Sequence, residues 1–241
     1  MLTGPDREPP DGRTALAVVA TTAEVLDRPD LDEGLLAPWE RRRLARVRVP
    51  SRRDDVLAAR LLLRLCAARF TGRQPHELLP AQFCAACERY GHGRPYLRGH
   101  PDVGVSLSHA DGLVAAAAGP GAVGVDVEPA ARPVGPPPVL ARLMSEAELR
   151  AVGALPDPDR AVLRMWVRKE ALLKAGHPGA GSAADVPHTV PDSGSRADRP
   201  GGLHVLDWTD ERRAAVATVA SAVPARRFSV TPTPSAPRET M

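Results

Sequence analysis

Two short stretches constrain this chain more than any other part of it. Val123-Gly124-Val125-Asp126-Val127-Glu128 alternates in the manner of a half-buried strand, with its three valines on one face and Asp126 and Glu128 on the other. Trp166-Val167-Arg168-Lys169-Glu170-Ala171-Leu172-Leu173-Lys174 reads as a helix, on which Trp166, Glu170 and Lys174 fall at i, i+4 and i+8 along one side. A strand with two carboxylates and a helix with a third, one turn from a lysine, have the makings of a hard-cation site beside a phosphate ligand. Taken singly, each member has a plainer explanation. Glu170 and Lys174, for instance, make an ordinary i, i+4 pair on a helix.

The 241 residues suffice for one substantial core, or for two small halves sharing one. Aromatic residues are only 3% of the chain, so the core must be built from Leu, Val and Ala. The net charge is a modest +3, but the basic residues crowd between positions 41 and 73. A local excess of this kind favours phosphorylated ligands or acidic partners. The three cysteines Cys66, Cys84 and Cys87, with no secretory pattern at Met1–Asp6, argue for a reducing, cytoplasmic setting. No apolar run approaches the roughly 20 residues that span a bilayer.

Along the chain, residues 1–13 read as a loose tail and Ala15–Ala20 as a first strand. Asp32–Leu36 and Pro38–Val47 suggest short helices. Asp54–Phe70 is a strong helix, with Leu57, Leu61, Leu65 and Ala68 on one stripe, Cys66 packed beside it, and an end at Thr71-Gly72. Cys84-Ala85-Ala86-Cys87, with His92 and His100 nearby, raises a zinc reading; the second pair of ligands is poor, and packing is the plainer expectation. Val103–Ser108, Leu113–Ala118 and 123–128 then read as three strands, with Asp111-Gly112 and Gly119-Pro120-Gly121 as turns. In an up-down-up meander the first and third strands end at the same edge of the sheet, which predicts that His109 neighbours Asp126 and Glu128. After the Pro-rich connector 129–138, Ser145-Glu146-Ala147-Glu148 forms a capping box for a helix, and Ala161–Ala175 is a second strong helix. Residues 176–202 read as a mobile loop. Leu203–Trp208 and Ala214–Ala220 read as closing strands, and 224–241 as a flexible tail.

With these residues in view, the chain resembles the 4'-phosphopantetheinyl transferases. Gly124-Val125-Asp126-Val127-Glu128 followed by Trp166 to Lys174 matches that family's paired G-[IV]-D-[IV]-E and W-x-x-K-E-[SA]-x-x-K pattern. Gly93-Arg94-Pro95 and Ser106-Leu107-Ser108-His109 resemble its upstream motifs, those of the longer, surfactin-synthetase-activating branch. The resemblance implies an α+β fold, a pseudo-dimer of two similar α+β halves with the active site in the cleft between them. The halves would be 14–119, carrying coenzyme A nucleotide contacts, and 120–223, carrying the magnesium and catalytic residues. It implies transfer of phosphopantetheine from coenzyme A to a serine of an apo acyl or peptidyl carrier protein, with release of 3',5'-ADP.

By the same resemblance, Asp126, Glu128 and Glu170 hold magnesium, Glu170 is the base for the serine hydroxyl, and Lys174 meets the leaving phosphate. Ser108 and His109 contact the 3'-phosphate end of coenzyme A, Arg94 and Arg43 add charge, and Lys169 touches a phosphate. Asp55 and Val56 depart from the pattern, standing where some relatives place Arg and Thr. Glu148 matches a family glutamate only by its place in the capping box.

Two other readings stay open on the residues alone. One is a nucleic-acid-binding protein using the basic segment from Arg41 to Arg53, although the scarcity of interleaved aromatics removes the usual stacking platform. The other is a catalytically inactive protein that binds coenzyme A or a carrier.

Overall fold

The computed structural model describes residues 14–141, 143–177, 186 and 200–230. The expected tail at 1–13, nearly all of the expected loop at 176–202, and 231–241 lie outside them.

Strand β1 (Ala15–Thr21) opens the chain and runs into the short helix α1 (Thr22–Leu26), whose capping box pairs Thr21 with Glu24. A single 3-10 turn at Glu33–Leu35 and helix α2 (Pro38–Leu44) lead to α3 (Pro50–Thr71), which begins four residues before the sequence pattern suggested and stops where expected. A three-stranded sheet follows, made of β2 (Pro80–Cys84), β3 (Arg89–Tyr90) and β4 (Arg94–Leu97). Next come β5 (Val103–Ala110), β6 (Leu113–Pro120) and β7 (Val123–Pro129). The helices α4 (Pro137–Leu140), α5 (Glu146–Gly153) and α6 (Pro158–Ala175) precede the closing strands β8 (His204–Asp210), β9 (Ala215–Ser221) and β10 (Ala225–Arg227).

The two larger sheets repeat one arrangement. In the first, the opening strand β1 pairs antiparallel with β6, and β6 with β5. In the second, the opening strand β7 pairs antiparallel with β9, and β9 with β8. Each sheet also has one long helix, α3 or α6, between its first strand and its last two. The alternation of side chains then builds four layers. Leu16, Val18 and Ala20 with Val114, Ala116 and Ala118 pack under α3. Ala17, Val19, Ala115 and Ala117 from the other face meet Val123, Val125, Val127, Ala217 and Val219 of the second sheet. Small residues dominate this inter-sheet layer because the chain has few aromatics to fill it. Beyond the second sheet lies α6, with Ala171, Leu172 and Ala175 packed on Ala220.

Gly124 lets α6 come close: a Cβ there would collide with the Ala171 carbonyl oxygen and the Ala175 nitrogen. The glycine ahead of Asp126 therefore sets how near the helix lies to the strand.

Three expectations need correction. The strands at 103–128 do not form one meander, because β7 leaves the sheet of β5 and β6 and pairs with β9. The C-terminal tail does not begin at 224, because β10 pairs in parallel with β1, Phe228 N–H bonds the Ala17 carbonyl, and Val230 is buried. Arginines of the basic segment are also partly engaged within the fold. Arg41 bonds the Leu36 carbonyl, and Arg53 bonds Glu33 at 2.7 Å. Just beyond that segment, Arg60 and Arg64 of α3 both clamp the buried Glu40 of α2. Among the described residues, no helix is long and apolar enough to cross a membrane.

Candidate active site

Asp126 and Glu128 stand on the face of β7 turned to α6, and both are buried. The ammonium of Lys174, near the end of α6, bonds Asp126 Oδ1 at 2.5 Å, Ser108 Oγ at 3.0 Å and the Val125 carbonyl at 3.2 Å. The Ser108 hydroxyl in turn donates to Asp126 Oδ1 at 2.7 Å. Two residues back, Ser106 Oγ accepts the Val125 N–H at 3.0 Å, so two serines of β5 hold the open edge of β7. Although β5 and β7 belong to different sheets, they run side by side. The residue expected beside Asp126 and Glu128 is His109; it is Ser108, one position earlier, that meets Asp126, through packing rather than pairing.

The second oxygen of Asp126, Oδ2, is buried with no hydrogen-bond partner. A buried carboxylate oxygen in that state is costly unless something cationic meets it. Glu128 is tied to Arg132, and Trp166 donates a hydrogen bond to it; burial nonetheless dominates, and with the Asp126 charge it holds the carboxyl above its ordinary range. Glu170 is also raised, first by burial, then by the charges of Asp126 and Glu128, with Lys174 partly offsetting them. Three carboxylates therefore share one low-dielectric corner of negative potential with a single lysine inside it. Their oxygens do not all fall within 4.8 Å of one another: the group of His, Cys, Asp and Glu that does so among the described residues lies elsewhere, at Cys84, Cys87 and His92. The orphaned oxygen and the raised carboxyls nevertheless fit a hard divalent ion, whose preferred ligands are carboxylate oxygens completed by water or phosphate.

The other sequence-predicted residues divide. Arg94, the first residue of β4, reaches the C-terminal end of α6, within 3.5 Å of the Leu173 carbonyl and beside Gly176. Arg43 bonds the Gly91 carbonyl, in the turn that precedes Arg94. His109 is half-buried and held neutral to lower pH than usual, mainly by burial, with Asp55 opposing the shift and Arg52, Lys174 and Arg60 adding to it. It lines a cleft of about 1050 Å³ together with Arg52, Asp55, Ser51, Thr22 and Arg132. Asp55 does not project freely into that cleft; it accepts the Thr22 hydroxyl at 2.5 Å and the Gly112 N–H at 3.3 Å.

Lys169 is not brought to the site at all. It is 0% exposed, and its ammonium bonds Glu148 Oε2 at 2.8 Å and the Leu143 carbonyl at 3.2 Å. The expected phosphate contact at Lys169 is corrected to an internal ion pair, which also gives Glu148 a role beyond its capping box. Adjacent positions on a helix point about 100° apart, so Lys169 and Glu170 face different neighbours. Sequence reasoning also missed Arg132, whose position four residues after Glu128 was the available signal.

A strand-borne acidic pair thus faces a helix-borne glutamate and lysine, a donor set whose chemistry suits a hard cation. Residues 122–222 match the profile of the 4'-phosphopantetheinyl transferase superfamily. That span takes in β7, α6, β8 and β9, and over it the chain is similar to that superfamily of transferases. No curated protein matches the chain.

Proposed function

We propose that the chain transfers the 4'-phosphopantetheine arm of coenzyme A to a serine of an apo acyl or peptidyl carrier protein and releases 3',5'-ADP, as a holo-carrier-protein synthase. The observation that carries this reading is the convergence of Asp126, Glu128, Glu170 and Lys174 from β7 and α6 within the segment matched by the superfamily. In the transfer, the serine oxygen forms a bond to the phosphorus of the pantetheine phosphate as the pyrophosphate bond breaks. Asp126, Glu128 and Glu170 are the residues that would hold magnesium, which when bound neutralises charge on the pyrophosphate.

Glu170 takes the serine proton. Burial and the charges of Asp126 and Glu128 raise its proton affinity, which makes it a stronger base than an ordinary glutamate. Lys174, already poised beside Asp126, meets the departing phosphate. Ser108 keeps Asp126 in place through its hydroxyl. His109, Arg94 and Arg43 bind the nucleotide end of coenzyme A, so that 14–119 and 120–223 act as two sides of one site. A reducing, cytoplasmic setting belongs to the same reading.

The test is intact-mass analysis of a panel of apo carriers incubated with the protein, coenzyme A and magnesium. The expected result is one added phosphopantetheine on at least one carrier. No addition on any acyl or peptidyl carrier overturns the proposal. A rise in melting temperature with DNA but not with coenzyme A would favour the nucleic-acid reading instead.

A further inference from the structure

Cys84, Cys87 and His92 were not absorbed by the site above. Cys66 is fully buried in the core, as expected of a packing cysteine, whereas Cys84 is half-buried and Cys87 is exposed, so packing does not account for the pair. Their sulfurs and one His92 ring nitrogen all lie within 4.8 Å of one another, with Cys87 Sγ and His92 Nε2 at 3.2 Å. The edges of a tetrahedral zinc site with two sulfurs and one nitrogen are about 3.5–3.8 Å, from metal–ligand lengths of about 2.3 and 2.0 Å. The Cys87–His92 pair stands within a few tenths of an ångström of such an edge, and the Cys84 sulfur lies within 4.8 Å of both.

The backbone is shaped to hold them there. Cys84 is the last residue of β2, and the chain turns through Cys87 and Glu88, whose φ is 54°, before β3 begins at Arg89. The backbone N–H groups of Ala86 and Cys87 are directed at the Cys84 sulfur. His92 is carried back to the cysteines by a turn between Gly91 and Gly93, with φ of 89° and 84°. Gly93 lies flat against the end of β2, where a Cβ would come within 2.6 Å of the Cys84 Cα. The hairpin and the turn are thus pressed together at the point where the donors meet.

We infer that Cys84, Cys87 and His92 form a zinc site, with water in the fourth position. Two thiolates and an imidazole suit a borderline-soft ion and not magnesium, and two thiolates balance the charge of a divalent zinc at an exposed hairpin. The site is a staple. It locks the β2–β3 hairpin to the turn whose Gly91 carbonyl receives Arg43 and whose next residue after Gly93 is Arg94. This inference does not depend on the transferase reading.

The test uses the full chain, purified without a histidine tag from zinc-supplemented medium, with elemental analysis for zinc. The expected content is about one zinc per chain, retained in Cys66→Ser and falling to background in Cys87→Ser and His92→Ala. Cobalt(II) added to the metal-free protein is expected to give sulfur-to-cobalt charge-transfer absorption, absent in Cys87→Ser. Circular dichroism separates loss of the site from loss of the fold. Should a variant misfold, release of zinc from the wild-type chain when its thiols are modified serves as the measurement. Wild-type protein that binds no added zinc, a pair isolated as a Cys84–Cys87 disulfide, or zinc retained in Cys87→Ser would each overturn the assignment.

Discussion

Lys169→Met separates a structural lysine from a phosphate-binding one. The Lys169 and Glu148 side chains are 1% and 2% exposed and meet at 2.8 Å, which makes this a buried pair. Burial pushes the Glu148 carboxyl up, but the hydrogen bonds from Lys169 and from the Ser145 N–H outweigh it and hold the group below its ordinary value. The stabilisation from that pairing is present above the ordinary carboxylate range and is lost as pH falls through the lowered value. Removing one partner of such a pair leaves a buried charge uncompensated and costs about 3–5 kcal/mol. At about 2–4 °C per kcal/mol for a chain of this size, the melting temperature should fall by about 6–20 °C.

Adding Glu148→Gln to Lys169→Met should recover part of the loss, because it removes the stranded charge. In the transfer assay, run well below the lowered melting temperature, the KM for coenzyme A should stay within about twofold of wild type. A variant that melts like the wild type but has a strongly raised KM for coenzyme A would refute the internal pairing and restore Lys169 as a phosphate contact.

Three further outcomes follow from the geometry around Asp126. Glu128 and Glu170 bind protons more tightly in the fold than in the unfolded chain. Calorimetric magnesium affinity should therefore fall as pH drops through their raised values, while the metal-free fold loses its carboxylate penalty over the same descent; affinity independent of pH there would count against both ligands. Gly124→Ala should force α6 away from β7, lowering both melting temperature and transfer rate, and a variant unchanged in both would show that the close approach is unimportant. The chain has only two lysines, and their side chains are 30% exposed at Lys174 and 1% at Lys169. Amine acylation read by peptide mass spectrometry should mark Lys174 and spare Lys169, with protection by coenzyme A and magnesium; modification of Lys169 first would contradict the burial.

The acidic face of β7 and the matching side of α6 were legible because both depend on local periodicity alone. Alternation put Asp126 and Glu128 together, and i, i+4 spacing put Glu170 and Lys174 together. What the second pair does was not legible. Lys174 crosses to Asp126 and Ser108 because β7 lies close enough, and that closeness is set by Gly124 against Ala171, a contact between distant segments.

The meander argument put His109 beside Asp126 from a wrong topology, and Ser108, one residue earlier, is the one that meets it. Short turns made the three strands look continuous, and nothing local revealed that β7 would find a better partner in β9. Lys169 was misassigned because a sequence motif fixes spacing and not direction, and its partner Glu148 lies 21 residues away on another helix. The strand β10 carries too little alternation over Ala225–Arg227 to announce pairing with β1. Counting the cysteine and histidine ligands in pairs set His92 aside as half of a poor second pair, because it reaches the cysteines only through a turn between two glycines.

The central claim is that Glu170, with Asp126 and Glu128, makes a metal-assisted centre for phosphopantetheine transfer. Its most direct test is to compare wild type and Glu170→Gln, with an apo carrier that the wild type modifies, coenzyme A and magnesium, by single-turnover intact-mass analysis alongside melting temperature. The account predicts transfer by the wild type, a loss of at least about a hundredfold in the variant, as expected when a general base is removed, and a melting temperature that does not fall. Transfer by Glu170→Gln at the wild-type rate would contradict it.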